Sequence, residues 1–285
     1  MNTSFRSPLR LRHGLTELAV TIVLAALALL IILPLVLPFL FVFKTQLEYA
    51  RHPWDLPKEL NLKNFVDAWN AVEIGVGLWN TLIVALGAIV FTLPPAALAG
   101  YVFAKYRSAV TETLFYVILV GYFVPVQMVL IPLFRLSMSV GLTDTLPGVF
   151  LPIAAFGIPF WVMIYRSFFE GIPKALNEAA HIDGAGHSKT FFAVMLPLAQ
   201  PATVLAVILV FIGAWSDYLL SLIMLNKPAL FTMQLKVAQF LNAYGADRMP
   251  RYAAAALISV APTLLLYIVG HKWIIKGTLG GALKE

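Results

Sequence analysis

The chain contains no cysteine, which excludes disulfides, iron–sulfur clusters and thiol catalysis. Charge is scarce as well: Asp, Glu, Lys and Arg make up 12% of the residues, against 60% hydrophobic. Outside the apolar runs no stretch is long enough to fold as a soluble domain, so any enzymatic fold, including one that hydrolyses ATP, has to reside on another chain. Catalytic constellations are equally thin. The segment GAGHSKT at Gly184–Thr190 imitates a phosphate-binding loop, but Ser188 and Asp183 stand where such a loop needs glycines, and no strand precedes it. His181 and His187 lack the four-residue spacing of helical metal pairs. His13, His52 and His271 are isolated, and no G-x-S-x-G elbow occurs. The basic residues form no stripe or aromatic-interleaved patch, so nucleic acid is not an expected partner.

What the chain does have is apolar length. Six runs, 18–43, 78–104, 114–134, 146–169, 201–225 and 253–275, are each long enough to cross a bilayer as a helix. The expected fold is therefore an all-α integral membrane protein, with six transmembrane helices in a single domain spanning 1–285. Arg6, Arg10, Arg12 and His13 precede the first run as they would a signal peptide, but the run is too long and ends at Phe43 and Lys44 without a small-residue cleavage site, so it reads as a retained helix. With the N-terminus inside, the inner segments carry eleven of the twenty basic residues, which favours cytoplasmic N- and C-termini. The net charge of +6 suits an anionic inner leaflet and contact with membrane lipid.

Every run, or its immediate start, contains proline: Pro34, Pro38, Pro94, Pro95, Pro125, Pro132, Pro147, Pro152, Pro159, Pro197, Pro201 and Pro262. Kinked helices are expected, either because a bundle must rock around a path or because membrane helices tolerate proline. Asp217 is the one clear ionisable residue at membrane depth, roughly 12 Å from the end of its run if the helix is continuous. Trp215, Ser216 and Tyr218 surround it in sequence. Aromatic faces beside a carboxylate suit sugar rings and hydroxyls, and a structural hydrogen bond fits Asp217 as well. A single acid without a relay argues against a proton-driven or sodium-driven carrier.

The polar island at 170–200 interrupts this pattern. Residues 172–182 can form a short helix with Ile172, Leu176, Ala179 and Ala180 towards one side, and Asp183 with Gly184 ends it, since glycine adopts left-handed geometry without steric cost. A second short helix through Lys189–Met195 follows, with Pro197 marking entry to the next span. A helix–turn–helix projecting from a membrane suits docking, while a passive loop is the plain alternative.

The island's spacing, Glu178-Ala179-Ala180, three residues, Gly184, nine residues, Val194, one residue, Leu196-Pro197, resembles the EAA motif of permease subunits of type I ABC importers. The context IPKALNEAAHIDGAG is similar to the carbohydrate-uptake, maltose-type class, as are LWNTL, VPVQMVLIPLF at Val124–Phe134, WSDYLLSLIML at Trp215–Leu225 and the terminal GTLGGALKE. The resemblance covers about 78–285 and fits the smaller partner of a permease pair. It implies the type I importer permease fold and a coupling helix seated on a cytoplasmic ATPase. Glu178 would make polar contacts there, Ala179 and Ala180 a close fit, and Asp183, Gly184 and Ala185 the turn. Leu196 and Pro197 would tie the loop rigidly to the fifth span. Asn80, Gln127, Trp215, Asp217 and Tyr218 become candidate path residues, and Gln239, Phe240, Tyr244 and Gly245 candidate contacts with the binding protein.

The resemblance further implies a second permease subunit, two ATPase subunits and an extracytoplasmic sugar-binding protein, in a prokaryotic plasma membrane. No cofactor is expected on this chain, with ATP and Mg on the ATPase. Polyol phosphate cargo, a non-transporting scaffold and a secondary carrier are the alternatives.

Overall fold

The computed structural model of the chain describes residues 8–244 and 248–282. By internal contacts the chain divides into two compact units, residues 1–68 with 243–257 and residues 69–242 with 258–285. All regular elements among the described residues are helical.

In the first unit, α1 (Pro8–Val42) is apolar along nearly its whole length, and α2 (Gln46–Arg51) and the first part of α3 (Lys63–Ala71) follow. The loop between them is organised by Lys44. Its side chain is fully buried, and its ammonium donates to the carbonyls of His52 and Pro53 at 2.8 and 2.7 Å. Burial of that charge is tolerable because both carbonyls face it. Asn64 returns the connection, donating to the carbonyls of Val42 and Lys44 at 2.7 and 2.8 Å. Arg251 pairs with Asp67 at 2.8 Å.

The second unit is built on α4 (Ile74–Lys105), whose 32 residues span about 48 Å, more than the hydrocarbon thickness of a bilayer. It packs most extensively on α7 (Pro147–Glu170). Glycine permits that approach: a Cβ at Gly100 would lie 2.6 Å from the Tyr165 Cβ, and one at Gly87 would lie 2.6 Å from the Phe150 ring. Small residues at a helix interface let membrane helices gain van der Waals contact where no hydrophobic driving force separates helix from lipid. α11 (Gln200–Trp215) lies on α4, and Ala85, Ala88, Ala96, Trp161, Val162 and Ala206 fill the core.

The expected runs 18–43, 78–104, 146–169 and 253–275 fall on α1, α4, α7 and α14 (Met249–Ala282). The other two do not form continuous spans. The run 114–134 is α5 (Ala109–Tyr122), a 3-10 turn at Val126–Val129 and α6 (Leu130–Ser139), bent by 85°. The run 201–225 stops at Trp215 and resumes as α12 (Leu219–Met224). Pro125 explains the first break, since it disfavours helix at the residue before it and donates no amide. At the second, the Asp217 side chain competes for backbone amides. Conversely, α4, α7 and α14 continue through Pro94, Pro95, Pro152, Pro159 and Pro262, so the prolines do not break every span. Among the described residues four helices are long and apolar enough to cross a membrane, or six spans if the bent pairs Ala109–Tyr122 with Val126–Ser139 and His187–Leu198 with Gln200–Trp215 each count as one. Around Val149 the two breaks meet, with Val126, Leu130 and Leu133 packed against the cluster of Leu220, Met224 and Leu225.

Candidate functional site

The island begins where α7 ends. α8 (Lys174–Ile182) follows Pro173 and carries Glu178 and Ala179 on an exposed side, continued by Ile182, which is 85% exposed. Ala180, one residue on and therefore about 100° around the helix, turns inward and is buried. The two alanines expected on one side are thus divided, because the edge of the covered side of α8 falls between Ala179 and Ala180. Leu176 is partly exposed.

α8 ends on Gly184, whose φ of 79° is left-handed. The Ala185 amide reaches back to the Ala180 carbonyl at 2.9 Å and the Asp183 amide to the Ala179 carbonyl at 2.9 Å. This long back-bond is the Schellman closure that glycine favours. Asp183 is exposed, and Ala185 is half-buried.

The second half of the island differs from expectation. α9 (His187–Thr190), a π turn at Phe191–Met195 and α10 (Leu196–Leu198) run on without a gap. A 75° bend separates this helix from α11. Leu196 and Pro197 therefore precede a sharp corner at Ala199 and do not belong to one straight helix with the following span. Pro197 and Pro201 offer no amide to bridge the corner.

The island is held instead by the C-terminal end of α4. Tyr101 Oη donates to Asn177 Oδ1 at 3.0 Å, Lys105 Nζ to the Ile172 carbonyl at 2.9 Å, and Tyr106 Oη lies 2.6 Å from His187 Nδ1. The Tyr101 ring also lies 5.7 Å from Phe169 and 5.3 Å from Phe191, on either side of the island. Beside these contacts, Glu170 Oε1 accepts from Arg107 at 2.7 Å and from Arg166 at 2.9 Å. Arg166 Nη2 donates to both Glu112 oxygens at 2.8 and 3.0 Å, and its guanidinium lies 4.1 Å from the Phe115 ring centre. The pairing and the ring together offset the desolvation of a largely covered cation. Apart from Arg166 and Glu170, which are one turn apart on α7, these partners are far apart in the sequence, and no motif or periodicity pairs them.

The candidate path residues do not converge on one polar surface. Asn80 is buried, and its amide donates to the carbonyls of Ala229 and Phe231 at 2.9 and 3.1 Å. Trp215 is buried against Phe211, with its indole N–H given to the Ser259 carbonyl at 2.9 Å. Asp217 lies at the start of α12 and not within a continuous helix. Its Oδ2 accepts from the amide and the hydroxyl of Ser221, both at 2.9 Å. Gln127 and Tyr218, one at each broken span, are exposed.

Among the outer-loop candidates, Phe240 on α13 (Met233–Tyr244) is fully buried and does not project outward. Gln239 is half-buried with Oε1 unpaired. Tyr244 closes α13, and Gly245 lies outside the described residues. The loop's anchor is Lys236, buried on the same helix and bonded to Glu73 at 3.2 Å.

Residues 96–278, from the second half of α4 through the island and into α14, match the family described as the binding-protein-dependent transport system inner membrane component. The chain belongs to that family. It is the membrane component of a binding-protein-dependent transport system and a multi-pass membrane protein. It is 31% identical to the diacetylchitobiose uptake system permease protein NgcG of Streptomyces coelicolor over 90% of this chain and 85% of the relative. It is 29% identical to the melibiose/raffinose/stachyose import permease protein MelC of Bacillus subtilis, over 87% of this chain and 91% of the relative. The permease fold also matches a chain in the crystal structure of a bacterial ABC transporter that imports the acidic polysaccharide alginate, at 21% identity with a TM-score of 0.80, covering 95% of this chain and 99% of that one.

Proposed function

We propose that this permease carries a carbohydrate handed over by an extracytoplasmic sugar-binding protein, driven by ATP hydrolysis on partner subunits that dock on α8. The observation carrying the docking reading is the exposed Glu178–Ala179–Ile182 side of α8, closed by the left-handed Gly184. An exposed apolar residue beside a carboxylate, on a short helix outside the spans, suits a cleft that is apolar at its floor and basic at its rim. The carbohydrate reading is supported by the names of NgcG and MelC.

In this reading the chain pairs with a second permease subunit, and two ATPases hold ATP and Mg on the cytoplasmic side together with both termini of this chain. Closure of the ATPase pair draws the docked helices together, and ATP's preference for the closed pair biases the membrane bundle towards its outward-open state. Gln127 and Tyr218 then face the cargo path at the two broken spans, with Asp217 fixing the corner between α11 and α12. Broken helices commonly form solute sites because they bring backbone polarity to membrane depth inside protein.

The decisive experiment reconstitutes the complete transporter and measures binding-protein-stimulated ATP hydrolysis and uptake over a panel of sugars and polyol phosphates. Glu178→Lys and Gly184→Pro are expected to abolish the stimulation while leaving membrane insertion intact. Full stimulation in both variants would remove the docking role. Stimulation by a polyol phosphate alone would replace the carbohydrate, and stimulation by nothing in the panel, with no uptake, would favour a scaffold.

A further inference from the structure

The island has three mechanical connections to the membrane bundle: α7 and α11, to which it is joined covalently at its two ends, and α4, which it touches by side chains. The α7 end leaves helical geometry over residues 171–173 before α8 begins, and α7 is itself packed along α4, so the routes to weigh are α4 and the covalent one through α11. A connection transmits displacement only if it is stiff, through continuous helix hydrogen bonds or several ties at separate points.

The covalent route is the softer one. Between His187 and Pro201 the chain passes through a π turn, two prolines that offer no amide, Pro197 and Pro201, and the 75° bend at Ala199. π turns and prolines are where helices bend. The corner also borders a cavity of about 400 Å³, lined by Leu93, Pro94, Tyr165, Phe192, Leu196 and Thr203. Close-packed protein has only a few discrete arrangements, whereas empty volume beside a corner allows the corner to open or close.

The side-chain route is distributed. Tyr101 and Lys105 are one turn apart on α4, and with Tyr106 they reach three separate points of the island: Asn177 in α8, the Ile172 carbonyl before it and His187 in α9. Three ties at separate points oppose both translation and rotation of α8, which one contact cannot do.

We propose that α4, not α11, carries the docking loop, with Tyr101, Lys105 and Tyr106 as positioning residues and the Ala199 corner as the hinge. The inference rests on the docking reading above and adds to it the element through which displacement enters the bundle.

The test uses the complete transporter in vesicles, with its binding protein, second permease and ATPases. This chain has no cysteine of its own, so introduced pairs are unique in it. In Tyr106→Cys/His187→Cys, a short bifunctional thiosulfonate, which bonds each thiol through a reducible disulfide with loss of sulfinate, joins the loop to α4. In Phe192→Cys/Thr203→Cys, the same reagent clamps the corner. Joining the first pair is expected to leave stimulated hydrolysis and uptake within about twofold of the unjoined protein, because the loop and α4 move together. Joining the second is expected to stop uptake, with recovery on reduction. The reverse pattern, uptake lost on joining the first pair or kept on joining the second, overturns the proposal.

A second measurement needs no linker. Tyr101→Phe/Lys105→Met is expected to lower sugar carried per ATP roughly tenfold while unstimulated hydrolysis persists, with Lys105→Arg restoring the ratio. If Glu178→Lys uncouples the transporter but the Tyr101/Lys105 variant is normal, the loop still docks and only the role of α4 falls. If Glu178→Lys itself is normal, the docking reading fails first.

Discussion

Asp217 accepts two hydrogen bonds from Ser221, one from its amide and one from its hydroxyl, each 2.9 Å long, and so holds the first turn of α12 after the break in the fifth span. Loss of a side chain that caps a helix costs about 1 kcal/mol. Asp217→Ala is therefore expected to lower the thermal unfolding midpoint of the purified permease, and Asp217→Asn to lower it less. If the carboxylate also touches cargo, Asp217→Asn will raise the sugar concentration needed for half-maximal uptake with the midpoint nearly unchanged.

Asn80 fastens residues 229–231 to the first turns of α4. Thr81 assists by accepting the Met233 amide at 2.7 Å. Replacing Asn80 by Asp removes both amide donors and faces two carbonyls with a carboxylate. We expect Asn80→Asp to be more damaging than Asn80→Ala, whose cost is about 1–3 kcal/mol for the buried carbonyls left unpaired. Hydrogen exchange at residues 226–236 reads the effect directly, and equal protection in all three proteins would contradict it.

A Cβ at Gly184 would meet nothing within 4 Å, so only its left-handed φ makes this glycine necessary. The expected ranking is conformational and not steric: Gly184→Asn close to the natural protein, Gly184→Ala weakened by about 1–2 kcal/mol at that turn, Gly184→Val worse. Stimulated ATP hydrolysis in the assembled transporter should follow the same order. Equal loss for Asn and Val would mean that the site excludes any side chain, for instance through a partner surface.

Asp144, itself at a left-handed φ of 55°, clasps two loops outside the spans by accepting the amides of Asn226 and Lys227. The Asn226 amide is the main cause that holds its carboxyl below the usual carboxylate range, against some desolvation. Because the folded value lies below the unfolded one, the charge stabilises the clasp fully above the ordinary carboxyl pKa and loses that contribution as pH falls through the folded value. Asp144→Asn keeps an acceptor and tolerates the left-handed backbone. The difference in midpoint between it and the natural protein is expected at neutral pH and should shrink as pH drops below about 4. A difference independent of pH would assign it to shape, not charge.

Apolar length made α1, α4, α7 and α14 legible from the sequence, because a membrane helix needs little else. The breaks after Tyr122 and Trp215 were not read, since hydrophobicity continues across both; Pro125 and the Asp217–Ser221 spacing were the local signals available. The island's turn was readable because Gly184 acts through its own backbone. The orientation of Ala180 was not, because which side of a two-turn helix is covered depends on what packs there. Tyr101, Lys105 and Tyr106 escaped for a different reason. Their partners lie 76, 67 and 81 residues further along the chain, and no periodicity records such a pairing.

The glycine-mediated contact between α4 and α7 also has a consequence for biosynthesis. The face of α4 that bears Gly87 and Gly100 is complete long before α7 has been made, since α5 and α6 come between. At roughly 5–20 residues per second, α4 waits for several seconds before α7 is available to cover this face. During that interval the stripe is open to any other newly inserted helix. Substitutions such as Gly100→Ala should therefore reduce the yield of correctly assembled permease during synthesis, beyond their cost to the finished fold.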